Sequence, residues 1–419
     1  MRSRALSAQV LLALLLSAQF LPPLPEFVEP TISMMAGTVA ATSVILFVGL
    51  LNYLLPTPRL AGGLLDLNGR LPTTTLLIVA LVFLHAIIAD YYLALGDLMR
   101  CVSSFFPLMF VLAGGAVLGR ALRRCAGHTV EWALSVSFGI LCLVGALRVL
   151  GLEPPSSVLV KATFPFTEVS HFALAFLPVL IYRAVQAPPR HKSWWVLASL
   201  LIGLALQSLS LLAGSLLVAA ACRRWLLLVL AVPAAVAVLF SLPAGLGLDY
   251  YLNRLDFSGD VANLSNLVYV QGWQLMLESW TLSSGWGLGF QQLGTHQTQV
   301  SSAQLIRTIT GGVDTNVMDG GFVLSKLVSE FGFLGIALAL VFVVAAARCL
   351  KALRAGRGDP ATTFARCVVL SYSVDMFIRG TGYFTQSTLL FVAAIVVLNT
   401  NRQSVVSQLG SAPQHAQLS

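Results

Sequence analysis

Apolar runs long enough to cross a bilayer recur along almost the whole chain, separated by short polar gaps. A run of about 18 or more apolar residues reads as a membrane-spanning helix. The pattern predicts helices at 5–21, 36–55, 74–95, 102–121, 130–150, 170–187, 193–208, 209–222, 225–243, 322–347, 362–380 and 384–400. The seventh and eighth are each too short to span cleanly. They meet at Gln207-Ser208-Leu209-Ser210, which admits a broken helix or a re-entrant pair. The first run, Leu6 to Leu21 behind Arg2 and Arg4, also has the form of a signal peptide. Pro22 and Pro23 follow it without a small-residue cleavage site, so a retained anchor is expected.

Composition agrees with that pattern. Apolar residues make up 57% of the 419 and charged residues 10%, against about a quarter charged in soluble domains. So few charges cannot cover a soluble surface, which excludes an ordinary cytosolic enzyme, a disordered chain or a disulfide scaffold. The six cysteines lie mostly in or beside apolar runs without CxxC spacing, so they read as small helix residues. The expected fold class is an all-α polytopic membrane protein of about twelve transmembrane helices with one large outer loop.

The net charge of +8 raises nucleic acid as a partner, but the positions of the charges decide against it. Most of the 25 basic residues fall on alternate loops, among them Arg120, Arg123, Arg124, Arg183, Arg190, Lys192, Arg223 and Arg224. The positive-inside rule then places both termini in the cytoplasm. Seven basic residues are left near the outer face: Arg100, Arg148, Lys161, Arg254, Arg307, Lys326 and Arg379. Orientation does not need them there, which makes them the informative minority.

Four regions follow: a first bundle over 1–243, the loop over 244–321, the C-terminal helices over 322–400 and a cytoplasmic tail over 401–419. A hydrophilic stretch of the loop's length inside a compact membrane protein is usually functional or a small folded element. Within it, Leu264 to Trp280 has apolar residues at helical spacing and reads as an amphipathic helix along the membrane interface. SGWGLGF (Ser284 to Phe290) reads as glycine turn chemistry. Walker, HExxH and GxSxG motifs are missing, so no metal site or cofactor is expected.

Ionisable residues inside the membrane are costly and point to function. Lys326 and Glu330 are four apart on one helix face, as a structural ion pair or part of a site. Asp375 and Arg379 share the same spacing, with Arg379 near the outer boundary facing headgroups or a cavity. His85 and Asp90 do not stack well, and His85 reads as a satisfied core histidine. In FTEVSHFALAFLPVL, Glu168 and His171 stand at the outer mouth of the sixth helix, where the dipole favours an ionised carboxylate. The alternative is a cap, with Thr167 capping and Glu168 and Ser170 in the first turn.

FTEVSHFALAFLP resembles the Glu-x-Ser-His-x-Ala pattern at a helix start in bacterial O-antigen and exopolysaccharide polymerases of the Wzy type. GWQLMLESWTLSSGWGLGF in the loop, DGGFVLSKLVSEFGFLG re-entering the membrane and IRGTGYF near the end are similar features. The resemblance implies a metal-independent glycosyltransferase with a GT-C-like membrane fold in the bacterial inner membrane. It would move a glycan from undecaprenyl pyrophosphate onto a lipid-linked repeat unit at the periplasmic face, with room for a chain-length regulator as partner. O-antigen ligases share that fold and transfer to the lipid A core of lipopolysaccharide. This chain departs from their pattern at Asp319-Gly320, at SLSLLAG and at Gln271.

Stabilising a departing pyrophosphate suits arginine's planar fork. Arg254, Arg379 and Arg307 are the phosphate candidates in that order, with Arg100, Arg148 and Lys161 in reserve. An acceptor hydroxyl needs a base nearby. Glu168 and His171 are the leading pair, Asp319 comes next, and Asp375 is expected to hold Arg379; Asp256 and Asp260 read as solvated loop charges. A secondary transporter or lipid-glycan flippase is the alternative of another class, but it should show paired internal repeats and broken helices. A non-catalytic assembly subunit is the third reading.

Overall fold

A computed structural model describes residues 2–29, 32–54, 70–93, 96–152, 162–227, 229, 264–296, 298–314, 316–356 and 358–410. Those residues are helical apart from turns and one isolated bridge between Thr163 and Phe166. The first bundle holds α1 (Arg2–Phe20), α2 (Leu24–Val28), α3 (Met34–Leu54), α4 (Arg70–Leu93), α5 (Leu98–Arg124) and α6 (Gly127–Val149). It continues with α7 (Val169–Gln186), α8 (Lys192–Ala205) and α9 (Leu209–Cys222). After it come α10 (Leu264–Leu282), α11 (Ser301–Ile309), α12 (Val323–Ala355), α13 (Pro360–Phe377) and α14 (Gln386–Gly410). Most of the helix expected at 225–243 lies outside the described residues, as does Arg254.

Among the described residues, six helices are long and apolar enough to cross a membrane: α3, α4, α5, α6, α7 and α12. Helices α1, α8, α9 and α14 contribute shorter apolar stretches. The chain is therefore a helical membrane protein. Its exposed apolar side chains, such as Leu76, Leu81 and Leu84 on α4 and Leu340 and Val341 on α12, are the surface a bilayer solvates.

α7 forms the centre. Phe172 through Tyr182 are buried on every face, as expected of a helix apolar all round. α5 meets α14 through Gly115 and Gly119, where an added Cβ would lie 2.7 Å from Val392 Cγ1 and 2.5 Å from the Ala393 carbonyl. Such small-xxx-small faces let membrane helices approach closely without a hydrophobic driving force between them.

The Gln207–Ser208 junction makes a hairpin of two short helices. Gln207 takes a left-handed conformation (φ 49°) and the Ser208 hydroxyl caps α9, accepting from the Leu211 N–H at 3.3 Å. Arg224, just past α9, donates to the Pro189 carbonyl just before α8 at 3.3 Å. Both helices therefore start and finish at one end of the bundle.

α12 is broken by Gly332, at φ 52° and ψ −127°. The break frees backbone groups, and the Ser284–Phe290 turn satisfies them. Leu288 N–H donates to Ser329 O at 2.9 Å, Gly289 N–H to Glu330 O at 2.9 Å, and Phe333 N–H to Gly285 O at 2.9 Å. The glycines expected to make a simple turn thus let loop backbone dock on helix backbone. α10 is confirmed as a helix, but its polar residues Asn266, Gln271 and Ser279 face inward while Leu277 and Leu282 are exposed. Gly272 lets it press against the chain before α12, where a Cβ would stand 2.3 Å from Gly320 O.

Candidate functional site

Helix ends meet at one end of the bundle and carry most of the ionisable groups singled out in the sequence. The chain enters α7 through Thr163-Phe164-Pro165-Phe166, closed by Thr163 N–H to Phe166 O at 2.8 Å. This leaves Glu168 extended (φ −137°, ψ 152°) as the N-cap residue, but its side chain makes no cap bond. The capping arrangement is not formed. Thr167 Oγ1 instead pairs with His171 Nδ1 at 2.9 Å, and the Glu168 carboxylate reaches away from its own helix.

It reaches Arg379. One Nη2 group of the guanidinium straddles both oxygens, 3.2 Å from Oε1 and 2.9 Å from Oε2. The Ser170 hydroxyl adds a bond to Oε2 at 2.7 Å. Arg379 holds the Glu168 carboxyl down at about 2, burial opposing, with smaller help from His171 and Ser170. The Glu168 side chain is 48% exposed, so the pair opens outward. Nε and Nη1 of Arg379 make no other hydrogen bond among the described residues, which leaves donors for a further anion.

A second charged group adjoins the first through the Arg379–Tyr383 turn. Gly380 N–H donates to Gly321 O at 3.1 Å, tying that turn to the start of α12. Gly382 lies against Asp319, where a Cβ would meet Oδ1 at 2.8 Å. Asp319 is 45% exposed and 3.8 Å from Lys326 Nζ, while Lys326 itself is 1% exposed. The Lys326 ammonium donates to Met318 O and to Gln291 Oε1 at 3.3 Å, and stands 5.4 Å from the centroid of the Tyr383 ring. Glu330 lies 3.5 Å below it, fully buried. Lys326 and Glu330 are thus an ion pair buried beneath the mouth, with Asp319 at its exposed edge.

The remaining expected residues are placed elsewhere. His171 is buried behind Glu168, its carbonyl accepting from Gln386 Nε2 at 3.1 Å and its Nε2 without a partner. Asp375, expected to hold Arg379, instead accepts from Ser387 Oγ at 2.8 Å, and the Arg379 guanidinium is held by Glu168. Arg307 is engaged by Asp314 within its own loop, with Nη2 to Oδ2 at 3.0 Å. No contact among the described residues joins Arg307 to Arg379. Arg100 and Arg148 stand at the start of α5 and the end of α6; Arg254 and Lys161 lie outside the described residues. His85 bonds the Trp286 carbonyl at 3.2 Å and stacks on the Trp286 ring at 5.6 Å.

Glu26 belongs to the group and was missed. It sits on α2, a turn too short to show periodicity, in the Pro22-Pro23-Leu24-Pro25 stretch that reads as a mere connector. Burial pushes its carboxyl up to about 7, the Glu168 and Asp319 charges add to the rise, and Arg379 opposes it.

Beside these charges lies an apolar cavity of about 440 Å³ between α10 and α12. Trp273, Leu277 and Trp280 line one wall, Val328 and Leu340 the other, and Phe377, two residues before Arg379, closes an end. No group of three or more His, Cys, Asp or Glu side chains suited to a metal exists among the described residues. No protein-family model and no curated protein matches this chain.

Proposed function

We propose that the chain is a polysaccharide polymerase, moving a glycan from undecaprenyl pyrophosphate onto a lipid-linked repeat unit at the periplasmic face of a bacterial inner membrane. In this reading about twelve helices span the bilayer and the loop over 244–321 covers the reaction. The observation that carries it is Arg379: a guanidinium held by one carboxylate, with donors uncommitted, beside a cavity lined only by apolar residues. A lipid pyrophosphate combines those two requirements, a multiply charged head and a long hydrocarbon tail. The cavity takes part of the isoprenoid chain and Arg379 takes the pyrophosphate.

Glu168 is a weak base in that arrangement, because its carboxyl is held near 2 by Arg379. Its role is to aim the guanidinium. As the donor's anomeric C–O bond breaks, the electron pair goes to the pyrophosphate oxygen, where Arg379 stabilises the growing charge. Buried Lys326 adds positive potential from below, and Glu330 keeps that ammonium in place. Arg254, first among the phosphate candidates in the sequence, is proposed to bind the pyrophosphate together with Arg379.

The test is glycan chain length in cells carrying Arg379→Ala, with expression matched to wild type. The expected outcome is loss of long chains with single repeats still attached to lipid A. Complete absence of capped lipid A indicates ligase chemistry instead, and an unchanged glycan sinks both.

A further inference from the structure

The site so described binds and polarises a donor but lacks a group able to take a proton from the acceptor. Glu168 is engaged by Arg379 and Ser170, which keep it a weak base, and Asp319 stands against the Lys326 ammonium. His171 is sealed behind α7's first turn. Glu26 differs from all three. Its carboxylate has no hydrogen bond or ion pair among the described residues, although the charges of Glu168, Asp319 and Arg379 all act on it.

Packing on either side fixes α2 there. Phe27, the next residue, meets Phe164 edge-on at 5.2 Å between ring centroids, four residues before Glu168. On the other flank the contacts come from α3, which follows α2: Thr381, two residues past Arg379, donates to Met34 Sδ at 3.6 Å, and Thr38 Oγ1 donates to Phe384 O at 2.9 Å. The α2–α3 corner is itself tight: Gly37 packs so closely that a Cβ would fall 2.1 Å from Pro22 O. Proline at 22, 23 and 25 stiffens the turn. Glu26 is thus presented on a rigid corner wedged between the Glu168 segment and the Arg379 turn.

We propose that Glu26 is the catalytic base of this site, accepting the proton of the incoming sugar hydroxyl. The inference rests on the transferase reading. The acceptor oxygen attacks the anomeric carbon and forms the new glycosidic bond. The bond from that carbon to the pyrophosphate oxygen breaks, its electron pair leaves with the pyrophosphate beside Arg379, and the hydroxyl proton moves to the Glu26 carboxylate. Glu26 then returns the proton to water. The facing charges are Glu168 from the α7 entry, Asp319 from the turn before α12 and Arg379 after α13; with burial they put the carboxyl near 7, where a base is both available and strong enough.

The experiment uses the full chain in lipid nanodiscs. Its probe is the undecaprenyl-pyrophosphate-linked glycan extracted from the source strain deleted for this chain. Transfer rate is followed from pH 5 to 9 for wild type, Glu26→Gln and Glu26→Asp. The wild-type rate should climb about tenfold per pH unit below about 7 and then level off. Glu26→Gln should lose roughly 10²- to 10⁴-fold at the plateau and lose that rise, while Glu26→Asp keeps part of the rate and the rise. An active wild type matched in rate and profile by Glu26→Gln overturns the role of Glu26 alone. A wild type inactive at every pH overturns the transferase reading and this inference with it.

Discussion

Arg379 and Glu168 use only part of their bonding capacity on each other, and that asymmetry divides their roles. A folded-state carboxyl depressed to about 2 stays ionised from neutral pH down, and its pairing weakens only as pH falls below about 4.5 towards 2. The Glu168 carboxylate therefore stays ionised throughout the working range. Glu26 runs the other way, raised by burial and by like charge, so under the proposal a rise of rate with pH that Glu26→Gln abolishes is its signature. Glu168→Gln tests the link between them. Removing the Glu168 charge takes away one of the negative neighbours that raise the Glu26 carboxyl and leaves Arg379, which lowers it, in place. The rise of rate should move to lower pH while the plateau falls, because Arg379 is no longer aimed. A profile that keeps its position, or moves to higher pH, contradicts the coupling between the two carboxylates.

At the scale of elements, hydropathy located the starts of the long described helices to within about four residues, because a bilayer crossing demands an uninterrupted apolar run, but it ended α12 at 347 and α14 at 400 where they continue to Ala355 and Gly410. It could not find α2, whose five residues complete little more than one turn. It also could not say that SGWGLGF would dock on a broken helix, since the break at Gly332 shows in sequence only as one more glycine among apolar residues. The site was legible in its acids and bases, Glu168, Asp319, Lys326, Glu330 and Arg379. Its pairing was not, because the i,i+4 rule pairs neighbours on one helix, and Arg379 chose a partner 211 positions away. Gly332 is the element-scale test. An added Cβ would lie 1.9 Å from Gly285 O at a left-handed φ of 52°, so Gly332→Ala must either straighten α12 or expel the loop. Backbone strain of that kind costs about 1–3 kcal/mol before the clash is counted. Faster amide exchange over 284–290 and a lower melting temperature in detergent are expected. Gly139→Ala, on α6 with nothing within 4 Å of the added Cβ, should leave both unchanged. Equal behaviour of the two variants removes the loop-on-helix docking from the account.

Across the whole molecule, the charges separate along the helix axes. α7 carries Glu168 at its start and Arg183 near its end, and an 18-residue helix is about 27 Å long, close to the thickness of a hydrocarbon core, about 30 Å. α12 does the same, with Lys326 in its first turn and Arg354 in its last, where Arg354 Nε donates to Ala220 O at 2.7 Å. α5 ends in Arg123 and Arg124, and Arg123 reaches Val397 O at 3.3 Å. The end opposite the candidate site thus gathers the arginines that alternate along the sequence, and positive charge is retained on the cytoplasmic side. Under the proposed function that rule puts the Glu26, Glu168 and Arg379 end outside, where lipid-linked repeats are joined. Single cysteines in a background lacking the six native ones decide it. Val313→Cys, exposed in the loop before α12, should react in intact spheroplasts with a maleimide that cannot cross the membrane. Arg190→Cys, exposed between α7 and α8, should react only after lysis. The reverse pattern turns the molecule over, puts Arg379 in the cytoplasm and removes the polymerase reading, since the pyrophosphate site would then face the wrong pool of lipid.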